Sequence, residues 1–190
     1  MDGNLIRIRE KKLEDAVSDY AWCCDPELSR LDAARPLAMS LSGYISEYSA
    51  ELRYPSLTRR RFAVETMDGK HIGNCSYYNI DLKRREAEVG IMIGDRDYWS
   101  KGYGTDTINT LISYVFDKTN FNKLYLKTLD WNFRAQQCFR KCGFTQYNRI
   151  HRDGHDFVLM EISRDGWQKM MAEQEQYGRN AVAAEQANSD

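Results

Sequence analysis

The chain has 190 residues, with 27 Lys and Arg against 28 Asp and Glu, and its formal net charge at neutral pH is −1. This length is sufficient for one domain with a buried core. The lack of a basic excess argues against a nucleic-acid-binding surface, and no apolar run approaches the roughly 20 residues that a membrane span needs. The first residues, MDGNLIRIREKKLED, contain no apolar segment of the kind that a secretion signal requires.

Cysteine and histidine usage indicates a protein without a metal centre. The five cysteines, which form no CxxC pair, and the three scattered histidines make no cluster with the spacing of metal ligands. A reduced, cytoplasmic protein is the simplest interpretation of this pattern. The cysteines are Cys23, Cys24, Cys75, Cys138 and Cys142.

The N-terminal part of the chain predicts one strand and two helices. Residues 5–9, LIRIR, alternate apolar and charged side chains after the first position, which is typical of a half-buried strand. A first helix is predicted from Leu13 to about Cys24 and a second near Leu41–Leu52. The polar segment between them contains Pro26 and Pro36, and we interpret it as a connection.

The next segment predicts a hairpin followed by a further strand. Two strand-like runs flank an Asp68-Gly69 turn, which is a strong hairpin signal. The run EAEVGIMIG, residues 86–94, is polar at its start and almost entirely apolar afterwards. Gly90 and Gly94 within it indicate either a bulge or a close approach of another group to the backbone.

The C-terminal half alternates helices and strands before a last hairpin. Residues 123–129, KLYLKTL, predict a strand, and residues 132–144 predict a helix that Gly143 ends. A second hairpin is predicted about Asp153-Gly154. The helix that precedes residue 123 has one apolar stripe at the spacing i, i+3, i+4, i+7, i+8. Its members are Ile108, Leu111, Ile112, Val115 and Phe116.

Together these elements predict an α+β fold with a mixed, mostly antiparallel sheet of about seven strands, and one parallel pair joined across the central helix. We expect the main domain at residues 1–165 and a helical extension at residues 166–177. Residues 178–190, GRNAVAAEQANSD, are small and polar, and a disordered tail is predicted there.

The start of the central helix, in the sequence YWSKGYGT, predicts a site for an anion. A helix N-terminus presents unpaired N–H groups and a partial positive charge. Gly102 and Gly104 would let an anion approach the backbone, because no Cβ stands in the way. The physics therefore favours a phosphate-bearing ligand and does not say which one.

Three other interpretations of this turn were weighed. A P-loop would need Lys-Ser or Lys-Thr after a glycine, and none follows here. The dinucleotide fingerprint GxGxxG would need a glycine at the position of Thr107, and the preceding hairpins do not suit a doubly wound fold. The turn alone is also compatible with glycines that serve packing only.

Two spaced motifs give a resemblance to a known family. The segment from Trp99 to Gly104 matches the pattern Q/R-x-x-G-x-G/A except at its first position, where Trp stands. A second pattern, N-x-x-A-x-x-x-Y-x-x-x-G-F, is matched at Asn132 and Ala135 and departs at Phe139. Over roughly residues 4–163 the chain resembles GNAT-superfamily N-acetyltransferases. The branch is the one that resembles ribosomal-protein N-terminal acetyltransferases and spermidine N-acetyltransferases.

The resemblance implies a GNAT-type fold, with helices on both faces of the sheet and with strands four and five splayed apart around acetyl-CoA. Residues 1–165 would be the acetyltransferase domain, and acetyl-CoA would be its co-substrate without a metal. Free backbone groups at Met92 and Ile93 would bind the pantetheine chain. The implied coenzyme-binding residues are Met92, Ile93, Trp99, Ser100, Lys101, Gly102, Tyr103, Gly104, Thr105, Asn132, Ala135 and Phe139.

The same resemblance suggests catalytic roles. Glu88 occupies the place of the glutamate that serves as the base in related histone acetyltransferases, and a carboxylate there could accept the amine proton. The alternative base position, on strand five, is Lys127, which makes that route unfavourable. The position that usually carries a tyrosine hydroxyl for the leaving thiolate is Phe139, which has no proton to give.

The sequence therefore predicts an N-acetyltransferase that moves an acetyl group from acetyl-CoA to a primary amine by direct transfer in a ternary complex. The acceptor would be a small molecule or a peptide: a protein N-terminus, a polyamine or an aminoglycoside. No nucleic acid or membrane partner is expected, and a homodimer stays open. The alternatives are a non-catalytic acyl-CoA-binding or regulatory module with the same fold, and a nucleotide-binding protein.

Overall fold

The computed structural model describes residues 1–187, which form seven strands and six α-helices. The strands are β1 (Ile6–Glu10), β2 (Arg59–Thr66), β3 (His71–Asp81), β4 (Glu86–Ile93), β5 (Lys123–Leu129), β6 (Thr145–Arg152) and β7 (His155–Ser163). The helices are α1 (Asp15–Cys24), α2 (Pro26–Leu31), α3 (Leu41–Arg53), α4 (Tyr103–Lys118), α5 (Phe133–Lys141) and α6 (Arg164–Ala187). A 3₁₀ turn, Arg96–Tyr98, links β4 to the segment before α4.

The seven strands form one sheet in the order β1-β2-β3-β4-β5-β7-β6. Every neighbouring pair is antiparallel except β4 and β5, which α4 connects as a parallel pair. These two strands pair only at their first residues, Glu86–Glu88 against Lys123–Tyr125, and then diverge. The predicted α+β class, the mixed sheet and the splay of strands four and five are confirmed.

The main apolar core lies between the sheet and α4. All five residues of the predicted stripe on α4 are buried, and they pack against apolar side chains of the central strands. Burial of these side chains accounts for the position of α4 across the sheet, since the hydrophobic effect scales with the apolar area removed from water. The helix thereby carries its N-terminus to the open end of the β4–β5 gap.

The other face of the sheet carries α1 on a layer of charged and polar side chains. Asp19 of α1 is 1% exposed, and its carboxylate contacts the Lys11 ammonium at 2.7 Å. The Tyr48 hydroxyl and the Asn74 amide also donate to it, at 3.0 Å and 2.7 Å. A buried carboxylate needs such partners to offset the loss of water, so this contact fixes α1 on the sheet.

Helix α2 corrects the sequence analysis, which interpreted the segment after Cys24 as a polar connection. Asp25 caps the helix, because its side chain accepts from the N–H groups of Glu27 and Leu28, both at 2.9 Å. Pro26 stands at the first helical position, where its missing N–H costs nothing. The proline therefore begins a helix here and does not interrupt one.

The C-terminal helix α6 is longer than the predicted extension at residues 166–177. It begins at Arg164, whose guanidinium donates to the carbonyl groups of Phe121 and Thr119 at 2.8 Å and 2.7 Å. It continues through residues 178–187, where a disordered tail was predicted; the Ala- and Glu-containing sequence there has high helix propensity. The last part of that tail, residues 188–190, lies outside the described residues.

None of the helices in residues 1–187 is long and apolar enough to cross a bilayer.

Candidate active site

A cavity of about 380 Å³ opens where β4 and β5 diverge. Its wall is formed by α2, the second half of β4, the turn before α4 and one face of α5. Most of the predicted coenzyme-binding residues lie in this wall, whereas Lys101, Tyr103 and Asn132 do not. The predicted residues that line it are Met92, Ile93, Trp99, Ser100, Gly102, Gly104, Thr105, Ala135 and Phe139.

Along β4, every second residue directs its backbone N–H and C=O groups into the gap. Gly94 donates its N–H to the Ile72 carbonyl of β3 at 2.9 Å, and alternation along a strand then directs the backbone groups of Met92 to β3 as well. Those of Ile91 and Ile93 point to the other side, into the gap. By this alternation the backbone groups left free along β4 are those of Ile91 rather than those of Met92, and the residues that bind a coenzyme stay a prediction. The strand period of two could have identified Ile91.

One of these gap-facing groups already has a partner. The Trp99 indole Nε1 donates to the Ile93 carbonyl at 2.6 Å. The indole face also carries the Arg134 guanidinium, 3.6 Å from the ring centroid, which is a close cation–π contact. Trp99, the residue that departs from the family pattern, thus closes one side of the cavity and positions a cation beside it.

The turn before α4 has the backbone conformation that an anion site requires. Ser100 and Gly102 both have positive φ, +59° and +91°, so the chain reverses tightly before the helix begins. The first N–H groups of the helix, at Tyr103, Gly104 and Thr105, precede the first residue with an intrahelical acceptor. With the partial positive charge of the helix end, these groups can bind a phosphate.

Asp106, in the first turn of α4, ties this turn to the start of β1. Its carboxylate accepts from the backbone N–H groups of Asn4, Leu5 and Ile6 at 3.1, 2.7 and 3.2 Å. These three bonds engage a negative charge that would otherwise stand free in the first turn of the helix. Asp106 therefore fixes α4 from the side of β1.

Helix α5 supplies the wall opposite the glycine turn. Asn132 caps the helix by accepting from the Ala135 N–H at 3.2 Å, so its observed contact positions α5. Phe139 is 6% exposed and packs edge-to-face on Phe144, with ring centroids 5.9 Å apart. Cys138 also lines the cavity, and its hydrogen bonds with Cys142 and then Thr105 lower its pKa to about 7, against the effect of burial.

Two cations of α5 were missed by the sequence analysis. Arg134 and Lys141 both line the cavity, and with Cys138 they stand at i, i+4 and i+7 on one helical face. Burial lowers the pKa of Arg134, which is stacked on Trp99. The spacing of these residues could have revealed them as partners for negatively charged phosphates in the same cavity.

Glu88 lies beneath the gap and outside the cavity wall. Its side chain is almost fully buried and accepts from the Tyr78 hydroxyl at 3.0 Å and from the Asn79 amide at 2.8 Å. The Lys127 ammonium is 3.5 Å away. The Tyr78 ring lies against Gly90 of β4, where an added Cβ would be 3.3 Å from a ring carbon. Tyr78 therefore lies between the Glu88 carboxylate and Gly90 of β4.

Burial, followed by the charge of Glu88, raises the pKa of Tyr78. The hydroxyl therefore stays protonated and donates a hydrogen bond to the Glu88 carboxylate. Asn79, which follows Tyr78, has a positive φ of +50° at a bulge in β3. This bulge brings the Asn79 amide onto Glu88.

Within residues 1–187, no group of His, Cys, Asp and Glu side chains is arranged to hold a metal ion.

Comparisons with known proteins agree with this geometry. Residues 5–145 match the acetyltransferase (GNAT) domain family. The chain is 26% identical over 123 residues, 64% of its length and 68% of the relative's, to the uncharacterized N-acetyltransferase p20 of Bacillus licheniformis. It is 27% identical over 108 residues, 53% and 58% of the two lengths, to a Bacillus subtilis protein provisionally named ribosomal N-acetyltransferase YdaF.

Among solved structures, spermidine N-acetyltransferase from Vibrio cholerae in complex with CoA and spermine has the same fold. It superposes with a TM-score of 0.76 at 22% identity, covering 86% of this chain and 98% of that one. Aminoglycoside acetyltransferase AAC(6')-Ib in complex with coenzyme A gives a TM-score of 0.72 at 18% identity, with the same coverage. Since the family match spans residues 5–145 of 190, the chain belongs to the GNAT acetyltransferase family and is an N-acetyltransferase of that family.

Proposed function

We propose that this enzyme transfers the acetyl group of acetyl-CoA directly to a primary amine, with both substrates bound at once. One observation carries the proposal: a single cavity joins the anion-binding turn of α4 to the unpaired edge of β4. The turn suits a pyrophosphate, and the edge suits an extended chain that carries amide groups. Related structures that contain CoA support the same assignment.

In this proposal the backbone polarises the thioester. A tetrahedral intermediate places negative charge on the carbonyl oxygen of the acetyl group, and a fixed N–H donor stabilises it. The gap-facing N–H groups of Ile91 and Ile93 are the donors available along β4, because the opposite strand has diverged. Arg134 and Lys141 would bind phosphates of the coenzyme at the other end of the cavity.

Glu88 is proposed as the final acceptor of the amine proton, by way of Tyr78. The hydroxyl oxygen of Tyr78 would take a proton from the amine nitrogen, which becomes positively charged as it attacks the thioester carbonyl, while the proton of the hydroxyl moves to the Glu88 carboxylate. The hydrogen bond from Tyr78 to Glu88 at 3.0 Å supports this route. Neither side chain is among the residues that line the cavity, and the half-buried Tyr78 is more accessible to an amine than the almost fully buried Glu88. The leaving thiolate needs no acid from Phe139, since a thiolate is a far weaker base than an alkoxide.

The acceptor is proposed as a primary amine of a small molecule or a peptide. Relatives of this fold carry names that refer to spermidine, to aminoglycosides and to ribosomal N-acetylation. A polyamine, an aminoglycoside and a protein N-terminus are accordingly the three acceptor classes to compare. α2 adjoins the cavity and supplies part of the surface that an acceptor would meet.

A coenzyme-release assay with a panel of amines tests the proposal. The purified enzyme is incubated with acetyl-CoA and, separately, with spermidine, kanamycin and short peptides with free N-termini, and free thiol is measured. We expect thiol release with at least one class, and a mass increase of the amine by one acetyl group. Binding of acetyl-CoA without release for any amine would favour the non-catalytic module. Binding of ATP or NAD in preference to CoA would overturn the assignment of the cavity.

A further inference from the structure

A second carboxylate, which the sequence analysis did not single out, lies in the cavity wall itself. Asp32 follows the last residue of α2 and lines the cavity, as do Leu28 and Leu31 of the same helix and Met92 of β4. Its backbone N–H caps α2 by donating to Leu28 and Ser29, both at 3.1 Å. The backbone thus fixes its position, and the side chain is left for other contacts.

The Asp32 carboxylate has no partner within residues 1–187. It takes part in none of the hydrogen bonds or ion pairs of that part of the chain, whereas Glu88 accepts two hydrogen bonds and has an ammonium at 3.5 Å. Asp32 is exposed as a residue, and its carboxyl group is nevertheless surrounded closely enough for burial to raise its pKa. Among the described residues that line the cavity, Asp32 is the one carboxylate, so it is the group there that can pair with a cationic ligand.

Two cations and one neutral hydroxyl on three strands interact electrostatically with this position. Lys127 of β5 and Arg59 of β2 lower the pKa of Asp32 by their charges, and the charge of Asp32 in turn raises the pKa of Tyr78 on β3. Tyr78 is the residue that donates to Glu88. Asp32 therefore lines the cavity and interacts electrostatically with Tyr78, a member of the proposed proton route.

We infer that Asp32 is the residue of the cavity wall that binds the ammonium group of the acceptor. The inference rests on the proposed function, since it concerns the second substrate of the same reaction. It assigns the two carboxylates separate tasks. Asp32 determines how well the acceptor binds, and Glu88 determines how fast the bound acceptor reacts.

Steady-state kinetics of two isosteric variants test this division. With the amine that the wild type uses best, Asp32→Asn should raise the KM of the amine by about tenfold to 100-fold, the usual effect of losing a charged hydrogen bond. Its kcat and its affinity for acetyl-CoA should stay within about threefold of the wild-type values. Glu88→Gln should show the converse, with kcat lower by roughly 10²-fold or more and little change in KM.

Two further variants serve as controls. Asp32→Glu, which keeps the charge, should recover most of the amine affinity, whereas a merely structural role would leave it as damaged as Asp32→Asn. Asp117→Asn removes an exposed carboxylate near the far end of α4 and should change nothing. If the wild type is active and Asp32→Asn leaves the KM of the amine unchanged, the inference about Asp32 is overturned and the proposed function stands. A wild type inert with every amine would overturn the proposed function and this role with it.

Discussion

Phe139 is the residue at which this chain departs most from the chemistry of its family. Its ring lines the cavity and packs on Phe144, and it has no hydroxyl with which to protonate the coenzyme thiolate. The neighbouring Cys138 thiol, with a pKa of about 7, also lines the cavity. The site therefore has an apolar ring at the position that usually carries a tyrosine hydroxyl in the family, as the sequence predicts.

We predict that Phe139→Tyr changes kcat by less than about threefold, well below the roughly 10²-fold or more that a general acid contributes. The physical reason is that the thiolate leaves without assistance, so a new hydroxyl has nothing to accelerate. The measurement is kcat with the best amine of the panel, with acetyl-CoA saturating. A rise of 10²-fold or more would show that the wild-type reaction is limited by departure of the thiolate.

At the scale of single residues, the sequence predicted the motif positions of the cavity wall better than the charged residues of that wall. The motif positions Gly102 and Gly104 lie where a local pattern placed them, since a strand-to-helix turn is encoded by adjacent residues. Asp32 was missed because it reaches the cavity from α2, which carries no motif, and Arg134 was missed because no motif position falls on it, although its neighbour Ala135 was predicted. Only the folded chain brings residue 32 to the end of β4.

Among the elements, α4 has the most direct link between sequence and function. Gly104 stands in its first turn with a φ that any residue adopts, and an added Cβ would meet only the Cys138 sulfur, at 3.5 Å. Larger side chains at this position would project into the cavity wall that Gly104 forms. A substitution here therefore tests the anion site without straining the backbone.

Gly104→Val should weaken acetyl-CoA binding at least about tenfold, which corresponds to about 1.4 kcal/mol, because the side chain occupies space that a phosphate needs. Isothermal titration calorimetry measures the affinity, and thermal unfolding checks that the fold persists. Gly43→Val is the matched control, because Gly43 stands in the first turn of α3, away from the cavity. Equal affinities in the two variants would contradict the assignment of the turn.

The helices also show where pattern reading failed. α4 was predicted because five apolar residues repeat over more than two turns. α2 has only six residues, which is too few for a periodic pattern. The polar segment in which it lies contains two prolines and resembles a loop. The local signal was nevertheless present, since Asp followed by Pro is the usual start of a helix.

For the molecule as a whole, the two faces of the sheet are stabilised in different ways. One is the apolar layer under α4, and the other is the ionic layer under α1. In the second layer Asp15 is 4% exposed, and its two carboxylate oxygens each accept from the Arg9 guanidinium at 2.8 Å. Despite burial, which acts in the opposite direction, the Arg9 contact lowers the pKa of Asp15 to about 2.

Asp15→Asn should lower the free energy of unfolding at pH 7 by about 3 kcal/mol, because it leaves the Arg9 charge short of a partner. Since the pKa of Asp15 is lower in the folded state than its ordinary 3.8, its contribution is complete above pH 4 and is lost as the pH falls towards 2. Urea unfolding of both proteins at pH 7 and at pH 2–3 measures this. The difference between them should shrink at low pH, and a constant difference would exclude an ionic cause.

The order of the whole sheet could not be read from local patterns. The hairpins about Asp68-Gly69 and Asp153-Gly154 follow from turn residues, whereas the place of β5 between β4 and β7 depends on contacts between distant segments. The predicted splay came from the resemblance and not from the strands themselves. The length of the paired segment, three residues on each strand, is a property of the folded sheet.

The short pairing of β4 and β5 leaves the interior of the protein with a sheet edge that no strand covers. Exposed edges elsewhere are templates on which other chains assemble. Here residues of α2 and α5 line the same cavity as this edge, on either side of it. In the proposed complex, acetyl-CoA would add to this edge as a peptide adds to the sheet of a peptide-binding domain, and the spacing of its amide groups would determine how well it pairs with the backbone.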